Sequence, residues 1–167
     1  SAIDYFTEVI KLNPKNSMAY NNRGNAKSDL SNTKEKNSEE YNKLINEAIE
    51  DYNKAIELNP NLSEAYNNRG NAKNKLQKIG EAIEDYNEAI RLNPNYSTAF
   101  YNRGLAKLQL VKIEEAIKDF IKAYELNNNN EIKEKAKSQL INLAKEKNEA
   151  AIKFCEEHNI DYKNYKE

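Results

Sequence analysis

The chain has 167 residues, of which 38% are hydrophobic and 32% charged, with a mean hydropathy of -1.00. So polar a chain has too little apolar area to offset chain entropy in one globular core, which favours an elongated fold whose units bury stripes against their neighbours. Lys plus Arg number 26 against 27 for Asp plus Glu, well mixed, so the basic stripe that nucleic-acid binding needs is missing, and no apolar run approaches the roughly 20 residues of a membrane span.

Taken in chain order, Ser1-Ala2-Ile3-Asp4-Tyr5-Phe6 reads as already inside a helix, as in a fragment that continues upstream. Its Ala2, Ile3, Tyr5 and Phe6 would present an apolar edge, through which a homodimer is a possible assembly. No signal peptide is recognised, so a soluble protein is expected, the cytoplasm slightly favoured.

Internal similarity is the dominant signal beyond this first helix. Leu58-Asn59-Pro60-Asn61 recurs 34 positions later as Leu92-Asn93-Pro94-Asn95. Ala65-Tyr66-Asn67-Asn68-Arg69-Gly70-Asn71-Ala72-Lys73 recurs at the same interval as Ala99-Phe100-Tyr101-Asn102-Arg103-Gly104-Leu105-Ala106-Lys107. An earlier copy, Ala19 to Lys27, lies 46 residues before the second, which is 34 and an insertion of 12. A fixed period of this length implies stacked supersecondary units. Within one period the pattern predicts two helices, roughly Ser63–Leu76 with Ser63 as N-cap and Gly80–Leu92 closed by Asn93-Pro94. Ala82, Ile83, Tyr86, Ala89 and Ile90 make the apolar face of the second. Gly24, Gly70 and Gly104 recur inside the first helices, where glycine costs about 1 kcal/mol, so close approach of two helix backbones at Ala48, Ala82 and Ala116 is expected to offset that cost.

The insertion falls between Leu30 and Glu47. Asn37-Ser38-Glu39-Glu40 offers cap chemistry, and Tyr41, Leu44, Ile45, Ala48 and Ile49 come after it at helical spacing. The second helix of that pair should start near Ser38 and project about 12 Å beyond its counterparts at 1.5 Å per residue. It would serve as a side wall for a partner, or simply be an insertion tolerated at an exposed turn. Asn127–Asn130 breaks the third repeat, and Glu131–Lys147 should form a helix with Ile132, Ala136, Leu140, Leu143 and Ala144 as its apolar stripe. Glu149–Glu157 either continues it or forms another.

These residues resemble the tetratricopeptide repeat family, whose pattern is W-x2-L-G-x2-Y, then A-x3-F, then P. It appears here as Tyr66-x2-Arg69-Gly70-x2-Lys73, Ala82-x3-Tyr86 and Pro94. The resemblance covers about residues 1–130 and implies an all-α fold, a right-handed α-α superhelix of helical hairpins with a C-terminal capping helix. It divides a single array into residues 1–14 (second helix of a truncated repeat), 17–60, 63–94, 97–128 and a cap at 131–158. The family's leucine is replaced by Arg23, Arg69 and Arg103 and its second tyrosine by Lys27, Lys73 and Lys107. An arginine on a packed face needs a partner, so each should pair with Asp51, Asp85 or Asp119 of its own or the preceding hairpin.

The resemblance also implies that function lies in a concave groove formed by the first helices, where a protein or peptide partner binds. Carried over position by position, the groove residues are Asn21, Asn22, Asn25 and Ser28, then Asn67, Asn68, Asn71 and Asn74, then Tyr101, Asn102, Leu105 and Leu108. This looks like the asparagine ladder of some tetratricopeptide superhelices. An amide both donates and accepts, which suits holding an extended backbone. An asparagine-rich composition is the competing explanation. Co-chaperones that grip acidic C-termini use a clamp with lysines and an arginine; Asn25 and Asn68 fit it, but Asn21, Thr98 and Asn102 stand where its cations should be, so no strong anion grip is expected. The alternative is a structural spacer or self-associating part of a longer array.

No catalysis, cofactor or metal is expected. Cys155 and His158 are the only Cys and His residues, too few for a metal site, and a polar terminal helix offers no cleft for a Cys–His pair.

Overall fold

The computed structural model describes residues 1–126 and 128–165. Among these, all regular structure is helical: α1 (Ala2–Leu12), α2 (Ser17–Ser31), α3 (Glu39–Leu58), α4 (Ser63–Lys75), α5 (Ile79–Leu92), α6 (Ser97–Gln109), α7 (Ile113–Leu126), α8 (Asn130–Lys145) and α9 (Glu149–Glu157). Contacts divide the chain into two compact units, Ser1–Asn93 and the part from Pro94 onward. Within each unit every helix packs on the next in sequence, so the units are built from successive hairpins. Of the predicted break at Asn127–Asn130, Asn127 is outside the described residues. Asn128, at the expected proline position, donates its amide to the Asn95 carbonyl.

Helix starts follow the asparagine and serine pattern. Asn16, Ser38, Asn129 and Asn148 cap α2, α3, α8 and α9, each side chain accepting a backbone N–H of the first turn. Ser63 does not cap α4. It is the first helical residue, after Leu62, which makes no side-chain cap. The turns after α4 and α6 close through a left-handed residue, Gln77 (φ 61°) and Val111 (φ 58°).

The glycines sit where expected, for a modified reason. A Cβ on Gly24, Gly70 or Gly104 would lie 2.7 Å from a ring carbon of Tyr52, Tyr86 or Phe120 respectively. The aromatic ring of the second helix, not the alanine, is therefore what the missing side chain makes room for. The Ala82 carbonyl comes next, at 3.2 Å from the Gly70 position.

The insertion is shared between both helices of its hairpin. Two of its residues lengthen α2 (15 residues against 13 in α4), six lengthen α3 (20 against 14 in α5), and four lengthen the turn. The overhang of α3 is thus about 9 Å rather than 12 Å. It is not a bare wall: Tyr41 in the extra turns is buried in one cluster with Ile45, Ala48, Tyr52 and Ala72, against which Ile49 and Leu76 pack.

At the far end, α8 and α9 form a hairpin of their own, separated at Lys147 (φ 66°). The predicted stripe Ile132, Ala136, Leu140, Leu143 and Ala144 is buried, as are Phe154 and Cys155.

Candidate functional site: the amide-lined face of α2 and α4

Each first helix is tied to its second by an ion pair that the sequence anticipates. Arg23 Nε and Nη2 donate to Asp51 at 3.0 and 2.5 Å, Arg69 to Asp85 at 2.9 and 2.6 Å, and Arg103 to Asp119 at 2.9 and 2.6 Å. All three aspartates belong to the arginine's own hairpin and are buried. The replaced tyrosine joins in, because Lys27, Lys73 and Lys107 each reach the same aspartate at 2.9 Å. Two cations on one buried carboxylate leave no anion uncompensated. Each guanidinium also lies 5.4 to 5.5 Å from the ring of Tyr20, Tyr66 or Phe100. With a further N–H, Arg23 reaches back to Thr7 on α1, and Arg69 reaches Asn53 on α3. The hydrogen bond to Asp51 holds the Arg23 pKa above its ordinary value. This network positions the helices; a separate edge of α2 and α4 carries several of the inferred amides.

On that edge, in the first unit, lies an open cleft of about 350 Å³ lined by Asn25, Ser28, Asp29 and Tyr52, with Asn68, Asn71 and Lys75 of α4 across from them. Of the groove residues inferred from sequence, Asn25, Ser28, Asn68 and Asn71 therefore do come together. Asn22 lines a neighbouring, more apolar hollow with Ala2, Phe6 and Ala26. Asn74 is partly buried on the same helix. Tyr101, Asn102, Leu105 and Leu108 lie in the second unit, on α6; all four are partly buried, and the Tyr101 ring sits 5.8 Å from Phe120.

Two of the inferred groove residues are buried. Asn21 and Asn67 are each only 2% exposed. They belong to a chain of amides: Asn67 Nδ2 donates to Asn68 Oδ1 at 3.4 Å, Asn68 Nδ2 to Asn21 Oδ1 at 3.1 Å, and Asn21 Nδ2 to Asn22 Oδ1 at 3.3 Å. Within this chain of amides, the bond from Asn68 to Asn21 crosses from α4 to α2 and ties the two helices together.

Sequence reasoning missed the partners that the second helices supply. Tyr52 donates its hydroxyl to Asn25 Oδ1 at 2.9 Å, and Tyr86 donates to Asn71 Oδ1 at 2.8 Å. Both phenols are buried, which pushes their pKa up. In the third repeat the tyrosine is Phe120 and the amide is Leu105, so hydroxyl and amide are replaced together. That paired change was the available signal. Lys75 was also missed. Its ammonium donates to Ser28 O at 3.1 Å, Ser28 Oγ at 2.9 Å and Asn32 Oδ1 at 2.9 Å, and burial lowers its pKa. Asn32 belongs to the insertion, which thereby fastens one corner of the cleft.

The terminal thiol and imidazole are packing groups. Cys155 is buried, which raises its pKa, and His158 stacks on Phe154 at 4.1 Å with Nδ1 2.9 Å from the Phe154 carbonyl. Among the described residues no cluster of three or more His, Cys, Asp or Glu is arranged to hold a metal ion, and no helix is long and apolar enough to cross a membrane.

The chain is similar to known proteins. A family described as TPR repeat matches residues 42–77 and 70–111, and one described as Tetratricopeptide repeat matches 97–130. Among solved structures, the first TPR of Spaghetti (RPAP3) bound to the HSP90 peptide SRMEEVD is 31% identical, covers 74% of this chain and 95% of its own, and superposes with a TM-score of 0.54. MamA is 26% identical with a TM-score of 0.62, covering 75% of this chain and 66% of its own. TTC0263, a thermophilic TPR protein of Thermus thermophilus, shares the fold with a TM-score of 0.75 at 17% identity, over 83% of this chain and 71% of its own. No curated protein matches this chain.

Proposed function

Because this chain belongs to the tetratricopeptide repeat family and so to a class of protein-interaction scaffolds, we propose that the amide-lined cleft of α2 and α4 takes an extended segment of a partner protein. The observation that carries this reading is the convergence of Asn25, Asn68 and Asn71 on one open cleft with a fixed hydrogen-bond network beneath it. A rigid floor lowers the ordering cost of binding, and side-chain amides match a peptide main chain without regard to its sequence. The family is generally non-enzymatic, and the reading assigns the chain no catalytic step.

The Spaghetti domain holds an acidic peptide. This chain has Asn21, Thr98 and Asn102 at the positions where a clamp for such a peptide carries its cations, and the Lys75 ammonium already has three acceptors. A partner of different, less acidic chemistry is therefore the better fit.

The test is affinity capture from the source organism, comparing the natural chain with an Asn25→Ala, Asn68→Ala, Asn71→Ala variant that still melts cooperatively. A protein retained by the first and lost by the second supports groove recognition. Equal retention by both would count against it.

A second reading, self-association, is favoured by the exposure of Tyr5 (65%) and Leu12 (87%) on α1. Sedimentation at rising concentration distinguishes it, since a groove-binding monomer keeps a constant mass.

A further inference from the structure

We infer that Tyr52 and Tyr86 are positioning residues: their hydroxyls turn the Asn25 and Asn71 amides so that each Nδ2 faces the cleft, and the first unit therefore holds a partner segment by its carbonyl oxygens. This rests on the groove reading above and specifies its chemistry.

A buried phenol must place its proton, because an unsatisfied buried hydroxyl costs about 1–3 kcal/mol. Tyr52 and Tyr86 have one partner each, the side-chain oxygen of Asn25 and of Asn71. An oxygen that receives this proton orients its amide, leaving the two N–H bonds of the other end for a ligand. Among the described residues, the side chains of Asn25 and Asn71 make no other hydrogen bond. Of the remaining amides of the face, Asn22 shares this polarity and Asn68 does not. Asn68 has both ends engaged, and Asn22 accepts from Asn21, which again leaves Nδ2 outermost.

The two oriented amides occupy equivalent positions of consecutive repeats, so the cleft offers N–H donors at a repeating interval. A chain in extended conformation presents carbonyl oxygens at such intervals; a cationic side chain would meet donors with donors. Asp29, exposed at the same cleft, supplies acceptors of its own and is the place where a peptide N–H or cation would settle. The paired loss in the third repeat, Leu105 with Phe120, fits a device in which hydroxyl and amide are useful only together.

The probe is a dodecapeptide selected from a random display library on the purified chain and resynthesised with two scans. N-methylation removes one backbone donor at a time, and thioamide substitution weakens one carbonyl acceptor at a time. Thioamides at two or more positions should lower affinity about tenfold, while N-methylation of the same residues leaves it nearly unchanged. Asn71→Asp keeps an oxygen for Tyr86 but removes the donor, and should cost about tenfold at unchanged melting temperature. Tyr86→Phe lets the Asn71 amide turn either way, so it should narrow the difference between the two scans, an effect that loss of stability alone would not produce. N-methylation as costly as the thioamides, or full binding by Asn71→Asp, overturns the inference while leaving the groove reading intact. Failure to select any peptide whose binding needs Asn22, Asn25 or Asn71 overturns both.

Discussion

Arg69 grips Asp85 with two parallel hydrogen bonds of 2.9 and 2.6 Å, while Lys73 holds the same carboxylate at 2.9 Å. The relation repeats at Arg23–Asp51 and Arg103–Asp119, so the α2–α3, α4–α5 and α6–α7 hairpins are each closed by a buried anion shared between two cations. Removing the anion strands both. Asp85→Ala is expected to destabilise by about 3–5 kcal/mol, the range for breaking one side of a buried pair. Glu81, 53% exposed and 3.7 Å from Lys73, should matter by less than about 0.5 kcal/mol when changed to alanine. Urea unfolding of the two variants compares them directly; equal midpoints would show that the buried carboxylate is dispensable.

Glycine at two positions should answer alanine with opposite signs. At Gly70 the new methyl group would lie 2.7 Å from the Tyr86 ring, and overpacking of this kind costs about 1–3 kcal/mol, more than the roughly 1 kcal/mol that helix propensity returns. At Gly80, in the first turn of α5, nothing lies within 4 Å. Gly80→Ala should therefore raise stability by up to about 1 kcal/mol. Thermal melts decide, and a stabilised Gly70→Ala would refute the close packing.

The insertion is part of the core rather than an appendage. Tyr41 is only 5% exposed and belongs to the cluster of Ile45, Ala48, Tyr52 and Ala72. Tyr41→Ala should cost about 3–5 kcal/mol, as for other large buried aromatics. Lys36→Ala, on the exposed turn, should change stability by less than about 0.5 kcal/mol. Chemical denaturation of both variants tests whether the overhang is a packed extension; a neutral Tyr41→Ala would mark it as loosely attached.

Alkali should unfold the chain through Tyr52 and Tyr86. Burial raises the pKa of both above the ordinary value of 10.0. The folded state then keeps protons that the unfolded state releases, so their contribution to stability is intact below about pH 10 and declines as pH rises beyond it. The melting temperature is expected to fall from about pH 10 upward, with phenolate absorbance of these two residues appearing only as the fold is lost. Changing both to phenylalanine should flatten that decline. Phenolate absorbance without unfolding would show that the hydroxyls are accessible.

The repeat, its helices and the ion pairs were legible in the chain before any fold was known, because each is written in one local register. Apolar spacing selects helices, proline ends them, and a cation placed on a packing face demands an anion at the matching position of the next helix. Asp51, Asp85 and Asp119 could be assigned for that reason. So could Asn25, Asn68 and Asn71 as residues of a common face.

Which asparagines of that face are available, and which way they point, depended on the packing of helix against helix. Asn21 and Asn22 are neighbours of the same type, yet one is buried between α2 and α4 and the other is partly open. Their difference arises from how closely the two helices approach, which no local pattern encodes. The orientation of Asn25 and Asn71 depends on a hydroxyl 27 and 15 residues away in sequence. The insertion likewise read as a projecting wall or a tolerated extra turn, but Tyr41 turns inward into a cluster that α3 forms with Ala72 of α4. Burial and hydrogen-bond direction are properties of pairs of helices, and a pair exists only once the chain has folded.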